Sequence, residues 1–305
     1  MALYELSSTL KQAIEAGQPQ RVLIRFIKKP DGTDYNPKVL MSNEQLLMNE
    51  GLRLNFDFNS EKDLTIGLCP SAEMTFSLVN DQLQLAEFEF GTFEAFLGAK
   101  LDPPIWGRGA HIEEFIENGE TAYYEFAPLG PFIASRPDIV RKQILEITAN
   151  DQMILFDEEI PEGLFTFPCT LADLVADMCF YLGVTLKEST WLNSDITVSK
   201  RPDQFDGATL REVLSWVAEA ACSNARFNRD GKLEFVWFNP VDKVYDEHDY
   251  SEFTPSWYEV QAIDRLHIRN ADSTAELKWP VDGTGTNAYL IQDNPFLRQP
   301  EEPDP

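Results

Sequence analysis

The chain has 305 residues, with 51 acids against 25 bases and a formal net charge of −26 at pH 7. A surface this negative repels phosphate backbones and speaks against tight or sequence-reading DNA binding. Apolar residues make up 43%, including 21 Phe and 6 Trp, which excludes a disordered chain; no apolar run approaches the roughly 18 residues that span a bilayer.

In chain order, MALYELSSTLKQAIEAG lacks the basic and apolar regions of a signal peptide. RVLIRFI (21–27) alternates Val22, Ile24 and Phe26 against Arg21, Leu23 and Arg25, the period of a half-buried strand. KKPDGTDYNP (28–37) has Asp31, Asp34 and Asn36 at calcium-like spacing, but no glutamate closes the loop, and a β-turn on Asp31-Gly32 accounts for it. GLRLNFDF (51–58) sets Leu52, Leu54, Phe56 and Phe58 opposite Arg53, Asn55 and Asp57. EMTFSLVND (73–81) and QLQLAEFEF (82–90) repeat the pattern around a turn at Asn80-Asp81. LDPPIWGRGA (101–110) reads as a loop, and TAYYEFAPL (121–129) and VRKQILEITAND (140–151) read as further strands. Many short alternating strands joined by turns indicate a barrel or sandwich over residues 1–158.

The texture then changes. TLADLVADMCFYLGV (170–184) opens on Thr170 with Asp173 three residues on, and Leu171, Leu174, Val175, Met178 and Leu182 share a helical face that ends at Gly183. TLREVLSWVAEAAC (209–222) repeats the device with Thr209 and Glu212, and its stripe is Leu210, Val213, Leu214, Val217, Ala218 and Ala221. NARFNRDGKLEFVWF (224–238) then gives a hairpin on Asp230-Gly231, with Leu233, Phe235 and Trp237 expected to pack under that stripe, and Val236 and Phe238 facing the other way. Residues 159–240 therefore read as a compact α/β domain with two helices. From 241 to 297 strands return: WYEVQAI (257–263), RLHIRN (265–270), TAELKWPV (274–281) and NAYLIQDN (287–294). The Pro/acid tail at 298–305 has nothing to bury and reads as disordered.

Chemistry is hard to find. His111, His248 and His267 form no metal-binding spacing, and the acidic run DEHDYSE (246–252) reads as a solvated linker. DGTGTN (282–287) has no helix behind it and is not a phosphate loop. Cys69, Cys169, Cys179 and Cys222 lie far apart in apolar or helical contexts and read as small reduced core residues. No serine sits in GxSxG. No catalytic, cofactor-binding or metal-binding residue is assigned, and no cofactor is implied.

Three stretches carry a resemblance: NSEKDLTIGLCPSAEMTFSLVN (59–80), ILEITANDQMILFDEEIP (144–161), and TLREVLSWVAEAACSNARFNRDGKLEFVWF (209–238) followed by DNPFL (293–297). In this succession the chain resembles the tail hub proteins of tailed bacteriophages and prophages, the group related to the baseplate hub of contractile tails. The resemblance implies a β-rich α+β fold: a tail-tube-like β-barrel (1–158), an inserted α/β domain (159–240) and a second strand-rich barrel region (241–297). It implies a non-enzymatic virion protein, assembled in the host bacterial cytoplasm, that joins the hexameric tail tube to a distal tip, spike or fibre. The implied partners are two further copies in a homotrimer, the tail tube protein, the distal tail protein, the tape-measure protein and a spike or fibre protein. DNA would pass through the lumen without sequence-specific contact, and the chain would not insert in a membrane. Members of the group commonly continue beyond NPFL, whereas this sequence stops eight residues after Leu297, which leaves the number of barrels per ring open. A cell-wall hydrolase or glycan-binding tail-tip protein is the alternative, and a contractile secretion or bacteriocin particle the same object in another setting.

Overall fold

A computed structural model describes residues 6–44, 46, 52–55, 65–79, 91–101, 112–134, 138–141, 144–236, 265–269, 276–279, 288–292 and 294–297. The chain adopts the expected β-rich α+β class. Its largest element is a nine-stranded sheet of β1 (Gln20–Lys28), β2 (Asp34–Ser42), β3 (Arg53–Asn55), β4 (Glu73–Val79), β5 (Thr92–Lys100), β6 (Ile112–Glu117), β7 (Glu120–Ala134), β8 (Asp138–Arg141) and β9 (Ile144–Asn150). The order is β2-β1-β5-β7-β9-β4-β3, with β6 beside β7 and β8 beside β9, and the pairs are antiparallel.

This sheet curls around one core. Val22, Ile24 and Phe26 of β1 share a cluster with Met74, Phe76 and Leu78 of β4 and Leu145 and Ile147 of β9, although three strands separate β1 from β4. Phe93 of β5 sits at its centre, 5.3 Å from Phe26, 5.7 Å from Phe76 and 5.8 Å from Phe132 between ring centroids. The two ends of the strand order, β2 and β3, are consecutive in sequence, and Leu46 between them bridges to Leu78 of β4. The chain thus bends from the edge of β1 to the edge of β4. Among the described residues no ladder joins β2 to β3, so the expected barrel is not closed by hydrogen bonds. Helix α1 (Ser8–Glu15), capped by the Ser7 hydroxyl, packs Leu10 and Ala13 on Ala99 of β5 and Ala127 of β7.

Several expectations need correction. The face of β1 read as solvent-facing is partly buried: Leu23 is 2% exposed and Arg21 7%, under Phe96, Phe115, Ala122, Tyr124 and Phe126. The cause is the β6–β7 hairpin, whose aromatic side chains form a second apolar layer. The stretch 140–151 is not one strand: β8 continues the line of β7 along β9, and the chain then reverses so that Arg141 lies opposite Ile144. Cys222 is exposed rather than core, because it sits past a helix end at φ +50°. The loop at 28–37 is a turn, with the Asp31 carboxylate accepting from the Thr33 amide and hydroxyl and Gly32 at φ +82°.

The second unit holds β10 (Cys169–Thr170), α2 (Leu171–Leu182), β11 (Thr185–Leu186), β12 (Thr197–Val198), α3 (Leu210–Ala220), β13 (Asn224–Phe227) and β14 (Lys232–Val236). Both helices start with reciprocal capping boxes, Thr170 with Asp173 and Thr209 with Glu212, and Gly183 ends α2 in the left-handed conformation. Their apolar faces share one core with Met153 and Phe156 of the 3-10 helix Gln152–Asp157, and with Phe205, Phe227 and Leu233. The expected stripe Leu210, Val213, Leu214, Val217 and Ala221 is buried, and Leu233 and Phe235 pack on that core. Trp237 and Phe238 lie outside the described residues. At 228–231 the hairpin between β13 and β14 reaches back to the large sheet: Gly231, at φ +71°, leaves room for the Pro131 ring, which an added Cβ would meet at 2.5 Å. Pro131 lies where β7 pairs with neither β6 nor β9, so the hairpin tip meets a part of that edge without ladder partners among the described residues.

A three-stranded sheet, β16-β15-β17, is formed by β15 (Arg265–Arg269), β16 (Glu276–Trp279) and β17 (Ala288–Gln292), with β17 parallel to β15. The stretches 82–90, 102–110, 246–252, 257–263, 282–287 and 298–305, the turn at Asn80-Asp81, and His111 and His248 lie outside the described residues.

Candidate functional site

One set of polar groups converges at helix α3. Its first turn carries Arg211, whose guanidinium donates to the Met153 carbonyl at 3.0 Å and the Cys69 carbonyl at 3.3 Å, and pairs with Asp157 at 2.6 Å. Its middle carries Ser215, whose hydroxyl donates to the Gly67 carbonyl at 2.5 Å. The Gly67 amide in turn donates to the Ser223 carbonyl just beyond the helix. Buried Asn224 completes the clamp, accepting from the Leu68 amide at 2.8 Å and donating to the Thr65 carbonyl at 3.2 Å. Segment 65–69 thereby runs along the edge of β13 as a further strand-like partner, with the Ala225 amide donating to Leu68.

From the other direction comes the segment after β17. Asn294, 3% exposed, donates its side-chain amide to the Trp216 carbonyl at 2.9 Å and to the Glu219 carboxylate at 2.8 Å, and its carbonyl oxygen accepts from the Phe296 amide. Phe296 enters the core edge-on to Phe205, itself stacked on Trp216. The Ile66 amide donates to the Tyr289 hydroxyl of β17, tying the two arms together. Three stretches more than 60 residues apart in sequence therefore meet on one helix. Gly67 shows how closely: at φ +81°, a Cβ there would lie 2.9 Å from the Glu219 Cβ. Gly67→Ala is expected to cost about 2–4 kcal/mol through backbone strain and displacement of α3, read as a lower urea midpoint. An unchanged midpoint would show that the contact is loose.

Chemically this is a clamp. Burial raises the Glu219 pKa despite the hydrogen bond from Asn294, and burial raises Asp151 in the same way. Burial also pushes the Cys69 and Cys179 thiols up to about 12 and Cys169, beside Asp173 and Asp177, to about 11, far from thiolate chemistry. Among the described residues no group of three or more His, Cys, Asp or Glu side chains is placed to hold a metal ion. His267 lies within β15, and Asp31 is occupied with Thr33.

A second polar cluster sits under the β6–β7 hairpin. Arg21 lies 4.2 Å above the Phe115 ring and donates to Ser42, Glu44 and Glu117. Glu117 also accepts from the Tyr124 hydroxyl at 2.7 Å and from Lys100 at 3.1 Å. Those bonds, Tyr124 first and then Lys100 and Arg21, hold its carboxyl down at about 2. A cleft of about 420 Å³ beside it is lined by Gln18, Lys100, Asn118, Thr121 and Tyr123, and its lysine is committed to Glu117. Because the folded-state value is depressed, the stabilisation is present above the ordinary value of 4.5 and is lost as pH falls from there through about 2. Glu117→Gln should remove up to about 3 kcal/mol at neutral pH, less whatever water screens, and flatten acid unfolding in that window. A parallel acid-unfolding curve for both proteins would rule this network out as its source.

Arg211, Gly67, Glu219 and Asn294 were not singled out by sequence. The available signals were the glycine in TIGLCP and the Asn-Pro-Phe after a strand, each silent about its partner.

No family profile and no curated protein matches the chain. Among solved structures it is similar to the prophage MuSo2 43 kDa tail protein from Shewanella oneidensis, with 10% identity, a TM-score of 0.44, and 90% of this chain and 72% of that one covered. It is also similar to the tail protein from Neisseria meningitidis MC58, with 11% identity, a TM-score of 0.37, and 73% of this chain and 67% of that one covered.

Proposed function

We propose that this chain is a non-enzymatic structural component of a phage-type tail, acting as a tail hub between the tail tube and a distal tip, spike or fibre. The observation that carries the reading is the junction at α3. Two of the three stretches that resemble tail hub proteins, 59–80 and 209–238 with its continuation 293–297, contribute Gly67, Ser215, Glu219 and Asn294 to one contact. On this reading 1–158 is the tube-like unit, 159–240 the inserted unit and 241–297 the second strand-rich region. The chain works as a homotrimer, touching tail tube, distal tail, tape-measure and spike or fibre proteins, and its acids keep passing DNA from adsorbing.

Immunogold labelling of particles from the element that encodes the chain tests this, with label expected at the distal end of the tail. Label elsewhere, or a chain that stays monomeric in the presence of the tube and neighbouring tail proteins, overturns it. Turnover of purified peptidoglycan would transfer the assignment to a tail-tip hydrolase.

A further inference from the structure

Helix α2 buries Leu171, Leu174, Val175, Met178 and Cys179 and leaves the opposite side open. On that side Asp173, Ala176, Asp177 and Phe180 occupy positions i, i+3, i+4 and i+7, which places them along one stripe. Phe180 is 91% exposed, more than any other large apolar residue described, and Tyr181 beside it is 44% exposed with its hydroxyl held by Glu158. An aromatic ring flanked by exposed Asp173 and Glu158 and half-buried Asp177 is the composition of an interface anchor with a polar rim, not of an ordinary solvated helix face. The local field is negative: burial and the Asp173 charge together raise the Asp177 carboxyl.

We infer that the open face of α2 is a docking site for a basic polypeptide segment of another protein, one that inserts an apolar side chain beside Phe180 and sets lysines or arginines against Asp173, Asp177 and Glu158. Charge selects this occupant. A second copy meeting the same face would bring Asp173 and Asp177 against themselves, at a repulsive cost. The longest stretch of this chain outside the described residues, 237–264, holds seven acids and one lysine, so it does not complement the face. The inference does not depend on the tail reading, since it concerns the chemistry of the partner and not its name.

The test uses the purified full chain and three synthetic peptides: an amphipathic Leu/Lys helix, the same helix with Glu for Lys, and a Lys/Ser peptide of the same charge without leucine. Anisotropy titrations should show the Leu/Lys helix bound at least tenfold more weakly by Phe180→Ser, and weakened further by Asp177→Lys and by salt. The Lys/Ser peptide should bind wild type and Phe180→Ser alike. With Phe180 already in solvent, Phe180→Ser should keep the wild-type melting temperature, so a lost affinity is not lost folding. Equal Leu/Lys binding by wild type and Phe180→Ser would mean that only the overall charge is read, and overturns the inference. Tight binding of the Leu/Glu helix, or self-association of the chain abolished by Phe180→Ser, overturns it as well. Failure here leaves the immunogold result standing, and the reverse also holds.

Discussion

Leu214→Asp is expected to abolish the folded α2–α3 core at 25 °C. Leu214 is 0% exposed, inside the cluster that joins both helices to Met153, Phe156 and Phe205. Truncating such a leucine costs about 2–5 kcal/mol, and an unpaired carboxylate in its place adds several more. The sum reaches the roughly 5–15 kcal/mol that hold a domain together. Leu214→Met should cost under about 1.5 kcal/mol and Leu214→Ala about 3, which separates volume from charge. Urea unfolding followed by circular dichroism reads the series. A wild-type melting temperature for the aspartate variant would mean that the helix face is misassigned.

That helix was legible because its signals are local. A threonine cap, an acid three residues on and an apolar stripe at helical spacing need no knowledge of the rest of the chain, and the same holds for α2 and for the Asp230-Gly231 turn. Strand β5 carries no such local signal, although it joins β1 to β7 at the centre of the sheet. Its sequence TFEAFLGAK uses Ala95, Gly98 and Ala99 where close packing leaves no room for large side chains; a Cβ on Gly98 would meet the Phe126 ring at 2.6 Å. Such a strand has no strong alternation to find. The burial of Arg21 was hidden for a related reason. Its cover comes from Phe115 and Tyr124, some hundred residues on, and an arginine that stacks on rings and meets two carboxylates is indistinguishable in sequence from a solvated one.

The same pairing explains how the acid excess reaches the surface. Arg21 is spent on Glu44 and Glu117, Arg211 on Asp157, and Arg226 and Lys187 share the buried Glu234. With 25 bases against 51 acids, each base spent in such a pair is one fewer to balance the remaining carboxylates. An excess of one sign of charge generally favours solubility and disfavours contact with phosphate backbones.

The clamp at the end of α3 gives the second large effect. Phe296→Ala should cost about 3–5 kcal/mol, since the ring is 7% exposed and leaves a hole beside Phe205. Asn294→Ala should cost about 1–3 kcal/mol, because it takes the Asn294 donor away from the half-buried Glu219 carboxylate and the Trp216 carbonyl. The two losses differ in their response to acid. Burial raises the Glu219 pKa and the Asn294 bond lowers it, so removing Asn294 pushes it up further. A carboxyl with a raised folded-state value holds its proton more tightly than the unfolded chain does, and the folded state gains as pH falls from neutral toward 4.5. Asn294→Ala should therefore recover part of its lost stability across that window, whereas Phe296→Ala should keep a constant deficit. Adding Glu219→Gln should abolish the recovery. A deficit in Asn294→Ala that is the same at about pH 7 and about pH 5 would show that Glu219 is not the group Asn294 holds in place.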